Sequence, residues 1–265
     1  MRIRIRFGKH GAMKFVGHLD LMRYFQKAMR RAQVPIKFSQ GYHPHPIMSF
    51  AEPLGLGITS DGEYMDIETE EDVSGPALID ALQATMVDGM RIHSVRRLPD
   101  QAKNAMASVA ASVYRLTYQK GEAPAPISTL LAARQTFYDL ATSIPMVKKT
   151  KKSERTLDLK PLIYAWQIEP FPGDGAEEKT CVEGEDAKWS FPIDPSDGED
   201  GPICHRIILS SGSTDNIKPT LVMDRFHSFL AVDPEDYPIR VYREDILTKL
   251  DQDLVSLDQV GLEMP

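Results

Sequence analysis

Basic side chains near the start of the chain have the spacing of a surface that binds an anionic polymer. Arg23, Lys27 and Arg30 follow one another at intervals of four and three residues, and Arg31 adjoins them. On an α-helix this spacing puts the first three on one face. Cationic side chains in such a row can follow a phosphate backbone. We therefore take all four as candidate nucleic-acid contacts, with an ordinary solvated helix face as the alternative.

The segment after this helix adds aromatic and imidazole rings. Residues 39–46 read SQGYHPHP, and the glycine with two prolines predicts a loop. Nucleic-acid bases stack on such rings, so Tyr42, His43 and His45 join the candidate contacts, with a rigid solvated turn as the alternative. His18, His43 and His45 also form a weak alternative metal site. One His-x-His pair without a nearby Cys or carboxylate ligand is an unspecific pattern.

A second basic run lies between residues 147 and 160, which read VKKTKKSERTLDLK. Its candidate RNA-binding side chains are Lys148, Lys149, Lys151, Lys152 and Arg155. The run has the same sign of charge as the N-terminal helix, which favours RNA contact. A solvated hairpin is an equally good interpretation of such a run.

The net charge of the chain excludes only a uniformly basic nucleic-acid binder. With 31 Lys and Arg against 38 Asp and Glu, the 265 residues carry a formal charge of −7. The first 50 residues nevertheless hold ten basic side chains and one acidic side chain, whereas residues 171–202 hold ten acidic and two basic ones. The sequence therefore predicts a local cationic surface and an acidic insertion with repeated Gly and Pro.

Motifs that identify enzymes by sequence are missing from the chain. It has no phosphate-binding loop, no dinucleotide-binding glycine pattern, no zinc-protease motif and no nucleophile elbow. We therefore assign no catalytic residue and expect no cofactor. The two cysteines, Cys181 and Cys204, suit neither a disulfide framework nor a zinc site. Without a long apolar run or signal peptide, a cytoplasmic protein with no membrane partner is expected.

The hydrophobic periodicity predicts an α+β protein made of two tandem ferredoxin-like (split β-α-β) halves. Residues 2–8 alternate Arg with Ile and Phe, which indicates a half-buried strand with a basic outer face. The rest of the first half is predicted to contain two helices, from residue 19 to before Pro35 and at 76–86, and three strands, at 47–51, 63–68 and 90–98. In the second half we expect strands at 112–118, 145–150, 162–169, 205–210 and 238–242, and helices at 126–141 and 219–230.

These elements give the predicted domain boundaries. The first half covers residues 1–100, and a separate linker covers residues 101–110. The second half covers 111–250, interrupted by the acidic insertion 171–202, and a tail follows at 251–265.

Three blocks of the sequence resemble a known bacterial family. The run GHLDLMRYFQKAMRRAQVPIKFSQGYHPHP and its continuation to residue 68 are similar to the signature of the radical-SAM-associated (radical-SAM-linked) proteins, a domain of unknown function. Residues 147–163 and 212–219 resemble later blocks of that family. The resemblance implies a radical SAM protein as partner and a setting in RNA metabolism. Because radical SAM enzymes hold their cluster with three closely spaced cysteines, this chain is expected to be the partner rather than the enzyme.

A second resemblance is architectural. Tandem ferredoxin-like halves with a histidine before the first helix are similar to the endoribonucleases that process CRISPR repeats, in which such a histidine acts as a general base. His18 has that position here. Our main prediction is a non-catalytic RNA-binding or RNA-modification accessory protein. The alternatives are a metal-independent endoribonuclease that uses His18, and an adaptor that docks a radical SAM enzyme.

Overall fold

The computed structural model describes residues 1–119, 122–149, 154–170, 203–212 and 216–265, so the acidic insertion lies outside the described residues. Within these ranges the protein is a mixed α+β structure with few helices and a large mixed sheet, which confirms the predicted fold class. The tandem ferredoxin-like arrangement stays a prediction. None of the described helices is long and apolar enough to cross a membrane.

The elements are numbered in chain order. The strands are β1 (Arg2–Lys9), β2 (Met48–Phe50), β3 (Thr59–Glu68), β4 (Met90–Arg97), β5 (Ala111–Tyr118), β6 (Pro145–Lys149), β7 (Glu154–Asp158), β8 (Ile163–Pro170), β9 (Ile203–Ser210), β10 (Ile239–Leu250) and β11 (Asp253–Ser256). The helices are α1 (His18–Arg31), α2 (Gly75–Gln83), α3 (Ala105–Ser108), α4 (Ile127–Arg134) and α5 (Pro219–Phe229).

Internal contacts divide the chain into two units. Unit 1 consists of residues 1–112 and 242–265, and unit 2 of residues 113–241. The C-terminal segment from Tyr242 onward, which the sequence boundaries place in the second half and its tail, therefore belongs to unit 1 with the N-terminal half.

The sheet of unit 1 is built around β1 and β3. Its strand order is β4-β1-β3-β10, with β2 beside β3 and β11 beside β10. β1 is antiparallel to both β3 and β4, and β10 is parallel to β3 where Tyr242 lies opposite Thr59. The apolar face of β1, with Ile3, Ile5 and Phe7 fully buried, packs in one core with α1 and α2.

The predicted basic outer face of β1 is wrong for Arg4. This side chain is completely buried, and its guanidinium donates two hydrogen bonds to Asp66 at 2.8 and 3.0 Å. It also donates to the backbone carbonyls of Lys103 and Leu257. Alternation along a strand assigns residues to two faces, but here the second face is also covered by protein.

The amphipathic pattern of α1 follows from its two environments. Leu21, Phe25, Ala28 and Met29 are buried, and the ring of Phe25 lies 4.7 Å from that of Phe7. Burial of a side chain of this kind contributes about 1.5–3 kcal/mol, which fixes the helix on the sheet and leaves its opposite face in solvent. The helix stops at Arg31 because Gln33 adopts a positive φ of 53° and Pro35 follows.

Unit 2 has its own aromatic core. Strands β8 and β9 are antiparallel neighbours, and β9 lies between β8 and β5. The rings of Phe137, Trp166 and Phe226 have centroids 5.0 to 6.0 Å apart, in edge or tilted arrangements. β6 and β7 form a separate two-stranded sheet.

Candidate functional site

The exposed face of α1 carries the row of cations found in the sequence. Arg23, Lys27 and Arg30 are all exposed. The Arg23 guanidinium contacts Asp20 at 3.3 Å, and both of these side chains are at least 70% exposed. Arg31 is also exposed but donates a hydrogen bond to the carbonyl of Thr85 at 3.1 Å. Three of the four predicted cations therefore share one solvent-facing row, and the fourth is hydrogen-bonded to the turn that follows α2.

The loop after α1 is held as a small hairpin. The backbone N–H of Ser39 donates to the carbonyl of His45 at 2.9 Å, and the Ser39 hydroxyl contacts Nδ1 of His45 at 2.9 Å. Tyr42 is fully exposed, and His43 is exposed as well. Phe38, which the sequence reasoning left out, is 49% exposed at the base of this hairpin. The loop therefore presents flat rings to solvent on a backbone closed by hydrogen bonds.

His18 lies at the first position of α1 and is half-buried. Its ring packs edge-on against Phe50, with the centroids 5.5 Å apart. Within the described ranges, no carboxylate hydrogen-bonds to His18, and no three His, Cys, Asp or Glu side chains are grouped as metal ligands. The metal site and the endoribonuclease role assigned to His18 both stay predictions.

The second basic run lies largely outside what the structure describes. Lys151 and Lys152 fall between the described ranges. For Lys148 and Lys149 in β6 and Arg155 in β7 the structure describes the backbone, in which Lys148 lies opposite Arg155. The hairpin predicted for this run is confirmed at the level of the backbone, and its RNA contacts stay a prediction.

A cluster that the sequence analysis missed lies elsewhere in unit 1; we call it the Asp61 cluster. It consists of Asp61 at the start of β3, His10 after β1, His93 in β4 and Tyr242 in β10. Nε2 of His10 and Nε2 of His93 lie 2.7 and 2.9 Å from the same oxygen, Oδ1 of Asp61. The Tyr242 hydroxyl donates to the other oxygen, Oδ2.

The electrostatics of the Asp61 cluster favour the ionised form of Asp61 and the protonated form of His10. Burial would raise the pKa of Asp61, but hydrogen bonds from His10, His93 and Tyr242 hold that pKa far below its ordinary value of 3.8. The hydrogen bond to Asp61 in turn raises the pKa of His10 above 6.5, against the opposing effect of partial burial. Asp61 is therefore ionised at neutral pH, and the protonated form of His10 is stabilised.

Only strand pairing brings this cluster together. His10, Asp61 and His93 are separated by 51 and 32 residues, so no local motif indicates them. Gly8, two residues before His10, pairs with Arg91, two residues before His93. Four of the seven histidines, including His10, lie in the first 45 residues, but this grouping does not indicate Asp61 or His93 as partners.

Two buried ion-pair networks in unit 1 are structural. Arg243 in β10 is 1% exposed and forms a bidentate pair with Glu63 at 2.9 and 2.7 Å and a further contact with Glu52 at 2.9 Å. The ion pair between Arg4 and Asp66 and that between Arg243 and Glu63 are both buried, and each has hydrogen-bond distances. Such pairs cannot meet a substrate.

Unit 2 contains a buried chain of hydrogen bonds. The Trp166 indole N–H donates to Nδ1 of His205 at 3.2 Å, so neutral His205 carries its proton on Nε2, 3.1 Å from the Tyr118 hydroxyl. That hydroxyl is left to donate to Nε2 of His227 at 3.4 Å. Burial lowers the pKa of His205 to about 3 and also lowers that of His227. Both rings are therefore neutral and part of the core.

The chain was compared with known proteins. The model of one family, described as an uncharacterized protein conserved in bacteria (DUF2344), matches residues 2–219. The matched segment contains α1, the loop after it and most of both units. No curated protein matches the chain.

Proposed function

We propose that this chain, which belongs to that uncharacterised family conserved in bacteria, is an RNA-binding protein whose main contact surface is the exposed face of α1. The observation that carries the proposal is the row formed by Arg23, Lys27 and Arg30 on a helix whose other face is fixed in the core. The row extends over about 10 Å of the helix, since each residue advances it by about 1.5 Å. This length matches a short stretch of a phosphate backbone.

The cations of this row are available to a ligand. The pair between Arg23 and Asp20 is exposed on both sides, and such pairs contribute at most about 1 kcal/mol. Neither Lys27 nor Arg30 has an ion pair within the described part of the chain. Binding RNA therefore breaks almost no internal interaction, and it releases counterions from the phosphates.

Buried cations in the same unit do not count toward this surface. Arg4, Lys9 and Arg243 are each at most 1% exposed. Arg4 and Arg243 are held by carboxylates, and Lys9 donates to the carbonyl of Val16 at 2.7 Å. The cationic charge that faces solvent is therefore concentrated on α1 more strongly than the N-terminal composition suggests.

The hairpin after α1 supports base stacking next to the cationic row. Tyr42 is fully exposed and Phe38 half-exposed, so both rings are accessible to a nucleic-acid base. His43 and His45 extend this ring-bearing surface. Stacking on such rings is worth about 1–3 kcal/mol per base and tolerates any sequence.

The second basic run and the partner protein complete the proposal on sequence grounds. Lys148, Lys149, Lys151, Lys152 and Arg155 are proposed as a further RNA contact in unit 2. The family resemblance supports a radical SAM protein as the enzyme with which this chain acts. Co-purification of the two proteins after nuclease treatment would support the adaptor alternative, in which no RNA is needed.

The proposal is tested with two triple charge reversals in unit 1. The test variant changes Arg23, Lys27 and Arg30 to Glu. The matched control changes Arg97, Lys103 and Lys249 to Glu, because these three are also exposed and the change in net charge is the same. RNA affinity is measured by fluorescence anisotropy across a salt series for both variants and the unmodified chain.

We expect a selective effect of the α1 variant. Loss of three phosphate contacts reduces the slope of log affinity against log salt by about 2, since each contact on a single strand contributes about 0.7. The control variant keeps the slope and loses only the weak long-range attraction. Equal losses in the two variants, or an unchanged slope in the α1 variant, contradict the proposal.

A further inference from the structure

The Asp61 cluster has no role in the RNA-binding surface proposed above, yet it is open to solvent. The side chains of His10 and His93 are 39% and 24% exposed, and that of Asp61 is 24% exposed. The buried networks around Arg4 and Arg243 differ sharply, because their charged groups are almost inaccessible. Both imidazoles of the cluster are therefore within reach of a bound molecule.

The hydrogen bonds determine which ring nitrogens are available. An ionised carboxylate only accepts hydrogen bonds, so Nε2 of His10 and Nε2 of His93 each carry a proton. Nδ1 of each ring is therefore the nitrogen that Asp61 does not engage. A histidine held by a carboxylate through one nitrogen can exchange a proton through the other, which is the arrangement required of a general acid or base.

The shared carboxylate makes the two rings unequal. Both imidazoles contact the same oxygen of Asp61, so two positive rings would lie side by side and repel each other. One negative charge on Asp61 balances one imidazolium, and His10 is the ring whose protonated form is favoured. We therefore assign His10 as the acid, and His93, the other ring on the same oxygen of Asp61, as the base.

The backbone is adapted to this cluster at Gly8. A Cβ at this position would lie 2.5 Å from Oδ1 of Asp61, 2.7 Å from Nε2 of His93 and 3.3 Å from Nε2 of His10. Any side chain here would separate the three groups. The strand thus provides the space in which the carboxylate meets both imidazoles.

A cavity beside His10 gives room for a substrate. It has a volume of about 670 Å³, and Arg91, Asp80 and Asp88 are among the residues that line it. The Arg91 guanidinium suits a phosphate, whereas the two carboxylates repel one. Within this lining, Arg91 and the His10 ring are the groups suited to hold a phosphodiester.

We propose that His10 and His93 cleave RNA by metal-independent transesterification, an inference that rests on the RNA binding proposed above. Nδ1 of His93 takes the proton of a ribose 2′-hydroxyl, and the oxygen attacks the adjacent phosphorus. The bond between phosphorus and the O5′ of the next nucleotide breaks, and His10 gives its Nδ1 proton to that oxygen. The products are a 2′,3′-cyclic phosphate and a 5′-hydroxyl, so the step balances without a metal, an oxidant or a second substrate.

The experiment follows cleavage and binding separately. The full chain is incubated in EDTA with an unstructured RNA, and the ends of the products are analysed. Loss of one acid or base typically reduces a rate by about 10²–10⁴, so we expect a decrease of this size in His10→Ala and in His93→Ala, with RNA affinity retained. An RNA with a single 2′-deoxy nucleotide should resist cleavage at that position. His18→Ala distinguishes this site from the alternative assignment, and it should leave the rate unchanged.

Each result decides the inference. RNA that is bound but not cut overturns the cleavage while the RNA-binding function stands, and RNA that is neither bound nor cut overturns both. Cleavage that persists in both histidine variants, requires a divalent metal, or disappears only in His18→Ala also overturns it. If an alanine variant is unstable, Gly8→Ala gives a second test, because it keeps every polar group and should reduce the rate by separating them.

Discussion

The substitution Gly8→Ala should open the Asp61 cluster without removing any of its polar groups. In the native chain, Asp61 accepts hydrogen bonds from His10 and His93 at 2.7 and 2.9 Å. The new methyl group would lie 2.5 Å from Oδ1 of Asp61 and 2.7 Å from Nε2 of His93. All these atoms are ends of side chains, so the strand itself can be kept while the side chains move.

The size of the movement follows from contact distances. Ordinary van der Waals contact begins near 3.4 Å, so the Asp61 carboxylate must retreat by about 0.9 Å and the His93 ring by about 0.7 Å. The carboxylate and the His93 ring retreat along different lines from the new methyl group, so the hydrogen bond of 2.9 Å between them lengthens to about 3.8 Å and is lost. Movement of the carboxylate also lengthens its hydrogen bond to His10. At this partly exposed site, the two hydrogen bonds of His10 and His93 to Asp61 together contribute about 1–2 kcal/mol to the free energy of unfolding after screening by solvent.

The assay is the titration of the histidine ring protons by NMR, together with urea unfolding across pH. His10 has a raised pKa in the folded chain, so its contribution to stability is complete below 6.5 and is lost as the pH rises through the raised value. Asp61 has a lowered pKa, so its contribution is present above 3.8 and is lost as the pH falls below that value. In Gly8→Ala the pKa of His10 should fall toward 6.5, and the stability maximum between these two limits should flatten.

A second glycine in unit 1 provides the control. A Cβ at Gly55 would lie 3.1 Å from Cδ1 of Ile58, an apolar chain end that can give way. Gly55→Ala therefore introduces a similar steric contact outside the cluster, and the titration of His10 should be unchanged. If Gly8→Ala leaves the pKa of His10 at its native value, the three groups are not held together as described and the reasoning is refuted.

Two further predictions concern buried charge. Asp66→Ala leaves the fully buried Arg4 without its carboxylate and should lower the free energy of unfolding by about 3–5 kcal/mol. The double variant Arg4→Met, Asp66→Leu should recover most of this loss. A loss below about 1 kcal/mol for Asp66→Ala in urea unfolding would contradict the pairing. His205 is neutral in the folded chain because burial lowers its pKa to about 3, so the stability of unit 2 should decrease as the pH falls from 6.5. His205→Leu should flatten this decrease in thermal unfolding across pH, and an unchanged slope would assign the acid sensitivity to other groups.

Local patterns in the sequence predicted helices and strands well, because the spacing of apolar residues in one element reflects which of its faces is buried. The spacing of Leu21, Phe25 and Ala28 was sufficient to predict α1 and the direction of its cationic face. The end of the chain was harder to predict. A short strand was expected at residues 238–242, but β10 continues to Leu250. The charged Arg243 and Glu244 interrupt the apolar pattern, and only the pairing of Arg243 with Glu63 explains why a strand with a buried arginine is stable there.

Of the candidate functional residues, the cations of α1 could be predicted from local sequence spacing, whereas the Asp61 cluster could not. Arg23, Lys27 and Arg30 lie within eight consecutive residues, so their common face was visible in the sequence. The Asp61 cluster needs the register of β1 against β4 and the approach of β3, which periodicity does not supply.

Burial also changes the meaning of the N-terminal charge. The ten basic side chains of the first 50 residues include Arg4 and Lys9, which the fold closes to solvent. A cation neutralised by Asp66 inside the protein attracts no phosphate, whereas an exposed cation on α1 does. Reversal of buried Arg4 would therefore unfold unit 1, and reversal of the α1 row would change the salt dependence of RNA binding in a folded chain. Folding and binding measured on the same variants separate these two roles of positive charge.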